Sequence, residues 1–267
     1  MKEASAAHGV TDYFQRVDKE YEIQQGKNFC DAAKEAGVQH FIWSSLLNVT
    51  ERRLTITPSL KSAVLTPCFF LVTNGELPNV DHFDSKSIVE DYARSLAIPA
   101  TFFLPGFYMS NLGGASPLFK PAPPDNAWTL ALPAGPGTKL PLFHTADTGK
   151  FVKAIVLNRD KVLGKQVLGA TVYMTAQEVV ESFKKLFPEV GRTARFFEVP
   201  KELFWAVQTA QGVPEHVITE LYENVKLMDT YGYYGGASLD EPHALLQDVL
   251  TPWEEYARQA DGFKDAK

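Results

Sequence analysis

The chain has 267 residues, 45% hydrophobic and 22% charged, with 18 glycines and 17 prolines spread through it, the profile of one large globular domain or one domain plus a lobe. A formal net charge of −6 excludes the basic footprint that direct binding to nucleic acid or to an anionic membrane needs. Cys30 and Cys68 cannot build a disulfide framework, no signal-peptide pattern opens the chain and no apolar run has the length of a membrane span, so a cytoplasmic or nuclear setting is expected.

The first helix is predicted over Asp18 to Ala36, with apolar or small residues at Tyr21, Cys30, Ala33 and Ala36 and with Gly37 placed to end it. Val38 to Trp43 follows as a short, mainly apolar strand of the kind buried on both faces in a parallel sheet, and it ends in Ser44-Ser45. A Gly-ended helix running into a buried strand is half of a βαβ unit. The nearby Asn48-Val49-Thr50 sequon reads as a chance tripeptide.

Between residues 51 and 74 the texture loses clear periodicity and carries two prolines, so 52–72 reads as an insertion. Its apolar end, Ala63 to Val72, suits a strand and a core plug equally. The stretch from Val80 to Asn111 is the centre of the chain. Asp84 or Ser85 is expected to cap a helix whose apolar stripe is Ile88, Val89, Tyr92 and Leu96, with Glu90, Asp91 and Arg94 outside it. Pro99 stops that helix, Ala100 to Leu104 is a second buried strand, and Pro105-Gly106 turns the chain at the strand end where ligands bind in open α/β sheets. His82 and Lys86, four residues apart, share one helix face.

Asn111 to Leu142, rich in glycine and proline, is expected to be a long loop with a short hairpin. Asp147 or Thr145 can cap a helix carrying Phe151, Val152, Ile155 and Val156, and Gln166 to Tyr173 reads as a strand. Thr175 and Glu178 have capping-box spacing for a helix through Leu186. Helices follow at Lys201 to Thr209 and His216 to Thr230, then the Tyr231 to Gly236 loop and a docked terminal helix in LTPWEEYARQ. There is no internal repeat.

Metal chemistry is set aside, because the histidines at 8, 40, 82, 144, 216 and 243 form no ligand-spaced pair with a carboxylate or thiol. The nucleophile elbow G-x-S-x-G is absent, and no G-x-G-x-x-G or phosphate-cradling loop follows a strand and opens a helix.

Residues 25 to 46, QGKNFCDAAKEAGVQHFIWSSL, together with HFDSK and PGFYMSN, resemble the NmrA-like family, atypical short-chain dehydrogenases that bind NAD or NADP on a Rossmann domain. The resemblance runs from Val10 onward and includes DTGKFV at Asp147 and TPWEEY near the end. It implies an α/β fold, a partial Rossmann-like doubly wound parallel sheet over residues 1–150 with a smaller mixed α/β lobe over 151–267, interleaved with the first. In the superfamily a Tyr-x-x-x-Lys pair stands here, the tyrosine as general acid and the lysine on the nicotinamide ribose. This chain reads His82-x-x-x-Lys86, keeping the lysine and not the phenol.

Imidazole is able to donate a proton, although a packing or capping role for His82 is the favoured reading; for Lys86 the cofactor role outweighs that of a solvated helix lysine. The resemblance further implies cofactor contacts at Thr11, Asp12 and Tyr13 and at Phe107, Tyr108, Met109, Ser110 and Asn111, a lesser one at Lys27, and places Ser44 and Ser45 near the superfamily's catalytic serine, where they serve equally as turn caps. Only nine residues precede Val10, so the Gly-rich half that holds the pyrophosphate is expected to be missing, as in a truncated paralogue or gene model, and dinucleotide binding to be impaired. Three functions remain in view: a redox-sensing regulator that binds the dinucleotide and acts through a transcription factor, a dinucleotide-dependent oxidoreductase of small-molecule metabolism with the Tyr231 to Gly236 loop lining its pocket, and a scaffold that binds no nucleotide.

Overall fold

The first long helix starts where Asp18 accepts from the Tyr21 amide at 3.0 Å and runs to Glu35, with acidic residues in its first turn and Lys34 in its last, the polarity that suits the helix dipole. In the computed structural model, which describes residues 5–50, 73, 75–115 and 117–266, it is followed by a fully buried strand. In chain order the elements begin β1 (Ala6–Gly9), α1 (Lys19–Glu35), β2 (His40–Ser44), α2 (Asp81–Ser95), β3 (Ala100–Pro105), β4 (Phe107–Tyr108) and α3 (Ser110–Gly113). They continue β5 (Phe119–Ala122), β6 (Ala127–Leu132), β7 (Lys139–Phe143), α4 (Thr148–Leu157), α5 (Arg159–Val162), β8 (Gln166–Gly169), β9 (Val172–Thr175) and α6 (Ala176–Leu186). Then come α7 (Pro188–Gly191), β10 (Arg195–Glu198), α8 (Lys201–Ala210), α9 (Glu215–Thr230), α10 (Asp240–His243) and α11 (Trp253–Gln259). Residues 52–72, read as an insertion, lie outside the described residues.

Two compact units form, Met1–Leu104 with Phe151–Leu168, and Pro105–Lys150 with Gly169–Lys267. The chain crosses between them three times, so 105–150 stands with the second unit and 151–168 with the first. No helix among the described residues is long and apolar enough to cross a membrane.

The first unit holds a four-stranded sheet in the order β1-β2-β3-β8, with β1, β2 and β3 parallel. Trp43 and Phe102, paired across β2 and β3, lie under α1 and α2: Phe29 of α1 is 6.4 Å from the Trp43 ring and Arg94 of α2 is 4.1 Å from the Phe102 ring. The opposite face carries Phe103 against Phe151 of α4 at 5.3 Å, and His40, whose Nε2 is 2.8 Å from the Thr101 hydroxyl that in turn donates to Val162 O. Helices therefore cover both faces, which is why β2 and β3 are apolar without alternation. Gly26 sets how closely α1 and α2 approach, because a Cβ there would meet Val89 at 2.4 and 2.7 Å and Trp43 at 3.1 Å.

The second unit holds two three-stranded sheets, β10-β6-β5 and β4-β7-β9. The stretch expected to be a long loop with a short hairpin, 111–142, holds three strands: β5 and β6 make the hairpin, and β7 pairs parallel with β4 and antiparallel with β9. Its prolines and glycines mark the turns, while AWTLAL is buried along nearly all its length. The strand expected over Gln166 to Tyr173 is two strands in different sheets, broken at Ala170-Thr171. The Asp147 carboxylate, just ahead of α4, accepts from Thr251 N at 2.7 Å and Thr251 Oγ1 at 3.0 Å and pairs with Lys150 at 2.6 Å, fixing the segment that leads into α11. Trp253 and Phe263 are buried in an aromatic core with Phe119, Trp128 and Phe183. The capping box of Thr175 and Glu178 is present.

A methyl group at position 26 overpacks the α1, α2 and β2 junction, so Gly26→Ala is expected to cost ~1–3 kcal/mol in urea denaturation. Adding Val89→Ala to that variant is expected to recover part of the loss; strictly additive destabilisation of the double variant would show that the contact is not limiting.

Candidate functional site

Helix α2 begins at Asp81, a turn earlier than a cap at Asp84 or Ser85 would place it, with Val80 at its N-cap and no side-chain cap bond. Both expected caps lie inside the helix and are buried, because each is committed elsewhere. Asp84 accepts from Val49 N at 2.9 Å, from Thr50 N at 3.2 Å and from the Thr50 hydroxyl, satisfying the amides of the loop that leaves β2. Lys19 reaches the same carboxylate at 3.3 Å and Asp81 at 2.9 Å. Burial opposes the Lys19 charge, but bonds to these two carboxylates and their charges outweigh it and hold its pKa above the ordinary lysine value. With Asn48 buried and Thr50 bonded to Asp84, the sequon sits in packed structure.

Ser85 donates to Glu22 Oε2. One residue on, Lys86 is 8% exposed, so it is not a solvated helix lysine. Its Nζ donates to Thr11 O at 2.8 Å, Glu22 Oε1 at 3.0 Å and Thr11 Oγ1 at 3.1 Å, while the Thr11 hydroxyl donates to Glu22 Oε1 at 2.7 Å. Trp43 donates its indole N–H to Lys86 O at 3.0 Å and holds its ring 5.9 Å from Nζ. The exit of β1, α1, β2 and α2 thus meet on one ammonium group.

His82 lies one turn before Lys86, with its ring 5.4 Å from Phe14, 6.0 Å from Tyr13 and 4.9 Å from Phe83. Thr11, Tyr13, His82 and Lys86 are therefore gathered at the C-terminal end of β1. Asp12 is exposed there and accepts from Phe14 N at 3.1 Å within its own turn, and Phe14 is 51% exposed. Lys27 lies instead over the Tyr92 ring at 5.4 Å. Phe107, Tyr108, Met109, Ser110 and Asn111 belong to the second unit, where Phe107 and Met109 are buried and Tyr108, Ser110 and Asn111 are exposed. Gly106 lets that segment start, since a Cβ would stand 2.3 Å from Pro141 O. In the Tyr231 to Gly236 loop, Tyr233 and Tyr234 are buried, Tyr233 donating to Pro105 O at 3.1 Å, and burial raises both phenol pKa values.

Ser44 closes β2, and the Ser45 hydroxyl donates to Glu90 Oε2 at 2.6 Å. Glu90, expected on the solvent side of α2, is 3% exposed. Arg94 Nη2 at 2.7 Å, Arg94 Nε at 3.0 Å and Gln166 Nε2 at 3.1 Å complete its shell, and that shell is what makes an inward carboxylate tolerable. Burial pushes the Glu90 pKa up, against the opposing pull of Arg94, Ser45 and Gln166. Among the described residues no group of His, Cys, Asp or Glu is placed to hold a metal.

Glu22, the hub of the Lys86 cluster, is the residue that sequence reasoning missed. Its signal is spacing: Glu22, Gly26, Cys30 and Ala33 form one buried stripe of α1, an acidic side chain in register with the core. Tyr21 and Ala36, expected on the apolar face, are half-buried and exposed.

The model of the NmrA-like family matches residues 1–62 and 71–257. The chain is 29% identical over 245 residues to a nitrogen metabolite repression protein of Neurospora crassa, covering 88% of this chain and 45% of that one. It is likewise 29% identical over 252 residues to an NmrA-like family domain-containing oxidoreductase of Malbranchea aurantiaca, covering 90% of this chain and 64% of that one. It therefore spans less than two thirds of the length of either relative. A crystal structure of a negative transcriptional regulator in complex with NAD superposes with a TM-score of 0.69 at 23% identity, covering 96% of this chain and 74% of that chain. The same regulator in complex with NADP gives the same score.

Because its folded-state pKa is raised, Glu90 keeps its proton after the unfolded chain has lost it, so its contribution to stability falls as pH rises from the ordinary carboxylate range through the raised value. Glu90→Gln does not titrate there. Measured by urea denaturation from about pH 4 to about pH 8, the stability of the variant relative to the parent is expected to increase across that window, and a difference constant with pH would refute the shift.

Proposed function

This chain belongs to the NmrA-like family, and we propose that within it the chain is a dinucleotide-binding regulator that senses nicotinamide redox state and acts through a protein partner, a transcription factor. The observation that carries this reading is the Lys86 cluster at the C-terminal end of β1, with His82 packed among three rings where a proton-donating phenol would otherwise stand. The residues fit the nicotinamide and ribose half of NAD or NADP. Lys86 and Thr11 offer an ammonium and a hydroxyl suited to ribose oxygens, and Phe14 and His82 offer flat faces beside them. When bound, the nicotinamide ring supplies the redox state that is sensed. The net charge of −6 favours reaching DNA through a partner rather than directly.

One observation favours the oxidoreductase reading as the second choice. Tyr13 brings a phenol ring 6.0 Å from His82, so phenol, imidazole and ammonium stand in one cluster, the set of groups that carbonyl reduction uses for proton supply. The similar protein of Malbranchea aurantiaca is named an oxidoreductase.

Calorimetric titration with NADP and NADPH, followed by a spectroscopic hydride-transfer assay over a panel of carbonyl compounds, separates these readings. Binding without turnover is expected; turnover selects the oxidoreductase, and binding of neither nucleotide leaves a scaffold. Lys86→Gln is expected to weaken NADPH binding by about tenfold and His82→Ala by less than about threefold, since only the lysine is assigned to the ribose. Equal effects would refute that assignment.

A further inference from the structure

A lysine ammonium has three hydrogens, and all three of Lys86 are committed, to Thr11 O, Thr11 Oγ1 and Glu22 Oε1. The side chain that neutralises it, Glu22, is 1% exposed and is held from both oxygens, Oε1 by Thr11 and Lys86 and Oε2 by Ser85. A ligand hydroxyl that uses Lys86 must therefore take a hydrogen from an existing acceptor. It also meets half of a neutral pair rather than a bare cation.

We propose that Glu22 is a built-in competitor for Lys86, an acidic side chain that occupies the ammonium required by a ribose hydroxyl of the dinucleotide and so sets the affinity of the site. This inference rests on the dinucleotide reading above. Three features support it. The carboxylate and a ribose oxygen are acceptors for the same donor, so their occupancies are coupled with opposite sign. The longest of the three Lys86 bonds, 3.1 Å to the Thr11 hydroxyl, goes to a group that already donates its own hydrogen to Glu22, so exchange there leaves Thr11 satisfied as a donor. Ser85 restrains Glu22 from α2 itself, one residue from Lys86, so the hold on the competitor is separable from the lysine.

The experiment is fluorescence titration of NADPH against the full chain, its Glu22→Gln and Ser85→Ala variants, and Glu22→Gln combined with Lys86→Gln, with each fold checked by circular dichroism and thermal melting. Gln keeps the size of Glu22 and one acceptor oxygen while removing the charge. Glu22→Gln is expected to bind NADPH about tenfold more tightly, Ser85→Ala by a smaller factor, and the gain to vanish when Lys86 is also replaced. Binding by Glu22→Gln is also expected to weaken more steeply with added salt, because an unmasked cation then meets an anionic ligand. Wild-type binding with unchanged or weaker binding in the folded variants overturns the proposal and leaves the dinucleotide reading standing. No NADPH binding by any of the chains overturns both. If Glu22→Gln does not fold, Ser85→Ala decides the matter alone, tighter binding supporting the competitor and unchanged or weaker binding overturning it.

Discussion

The buried pairing of Glu22 with Lys86 is the constraint around which the first unit is arranged. Moving two charges out of water costs several kcal/mol per ion after relaxation, and the cost is offset only when the remaining oxygens and hydrogens find partners. Here they do: Thr11 supplies a carbonyl and a hydroxyl, Ser85 a hydroxyl, and Trp43 braces the helix turn through the Lys86 carbonyl. Each partner comes from a different segment, so the interaction fixes where the chain leaves β1, how α1 lies on the sheet and where α2 begins. Gly26, one turn along α1 from Glu22, then permits the close approach of α1 and α2 that this geometry demands.

Two further buried carboxylates repeat the same solution along α2. Asp84 collects the amides of the loop after β2, and Glu90 collects Ser45, Arg94 and Gln166. Parallel strands end without a hairpin partner, so the peptide groups and hydroxyls that follow them need acceptors from outside the sheet. A row of inward carboxylates on the adjoining helix provides them. These bonds tie the segment after β2 to α2 at the end of the sheet where α/β proteins bind ligands. Inside the sheet the solution differs: His40 and Thr101 form a chain ending on Val162 O, and burial together with Arg159 lowers the His40 pKa, keeping an uncharged ring against the strands.

Periodicity and punctuation made much of the fold legible. The α1 helix, the β2 and β3 runs, the Thr175 capping box and the terminal helix all follow from local spacing, which is the scale at which such rules operate. The misplaced features share a cause, since each depends on a partner distant in sequence. Asp84 and Ser85 have cap chemistry, but Thr50 and Glu22 use it first. Glu90 belongs to the polar face by composition and faces inward because Arg94 and Gln166 meet it there. A continuous apolar run such as Gln166 to Tyr173 does not disclose that its halves enter different sheets. At the site, the family resemblance drew attention to His82 and Lys86, whereas Glu22 declares itself only once α1 is wound and its buried stripe is seen to contain a charge.

The fold by itself does not choose between a regulator and an enzyme, since it serves proteins named for repression and proteins named for oxidoreduction. The choice turns on what a few groups at the end of β1 are free to do. Proton transfer asks for a donor that reaches the reacting atom, whereas sensing asks only that one redox form be held more tightly than the other. A lysine whose three hydrogens are already placed, and an imidazole seated among Tyr13, Phe14 and Phe83, are better arranged for holding than for transfer. Under the proposed competition, selectivity arises at Lys86: a ligand form that strengthens its oxygen contacts there displaces an acceptor, and one that does not leaves the Glu22 pairing in place. Under the competition proposed above, the buried pair that determines how the first unit packs is also the pair whose bonds a bound ligand exchanges.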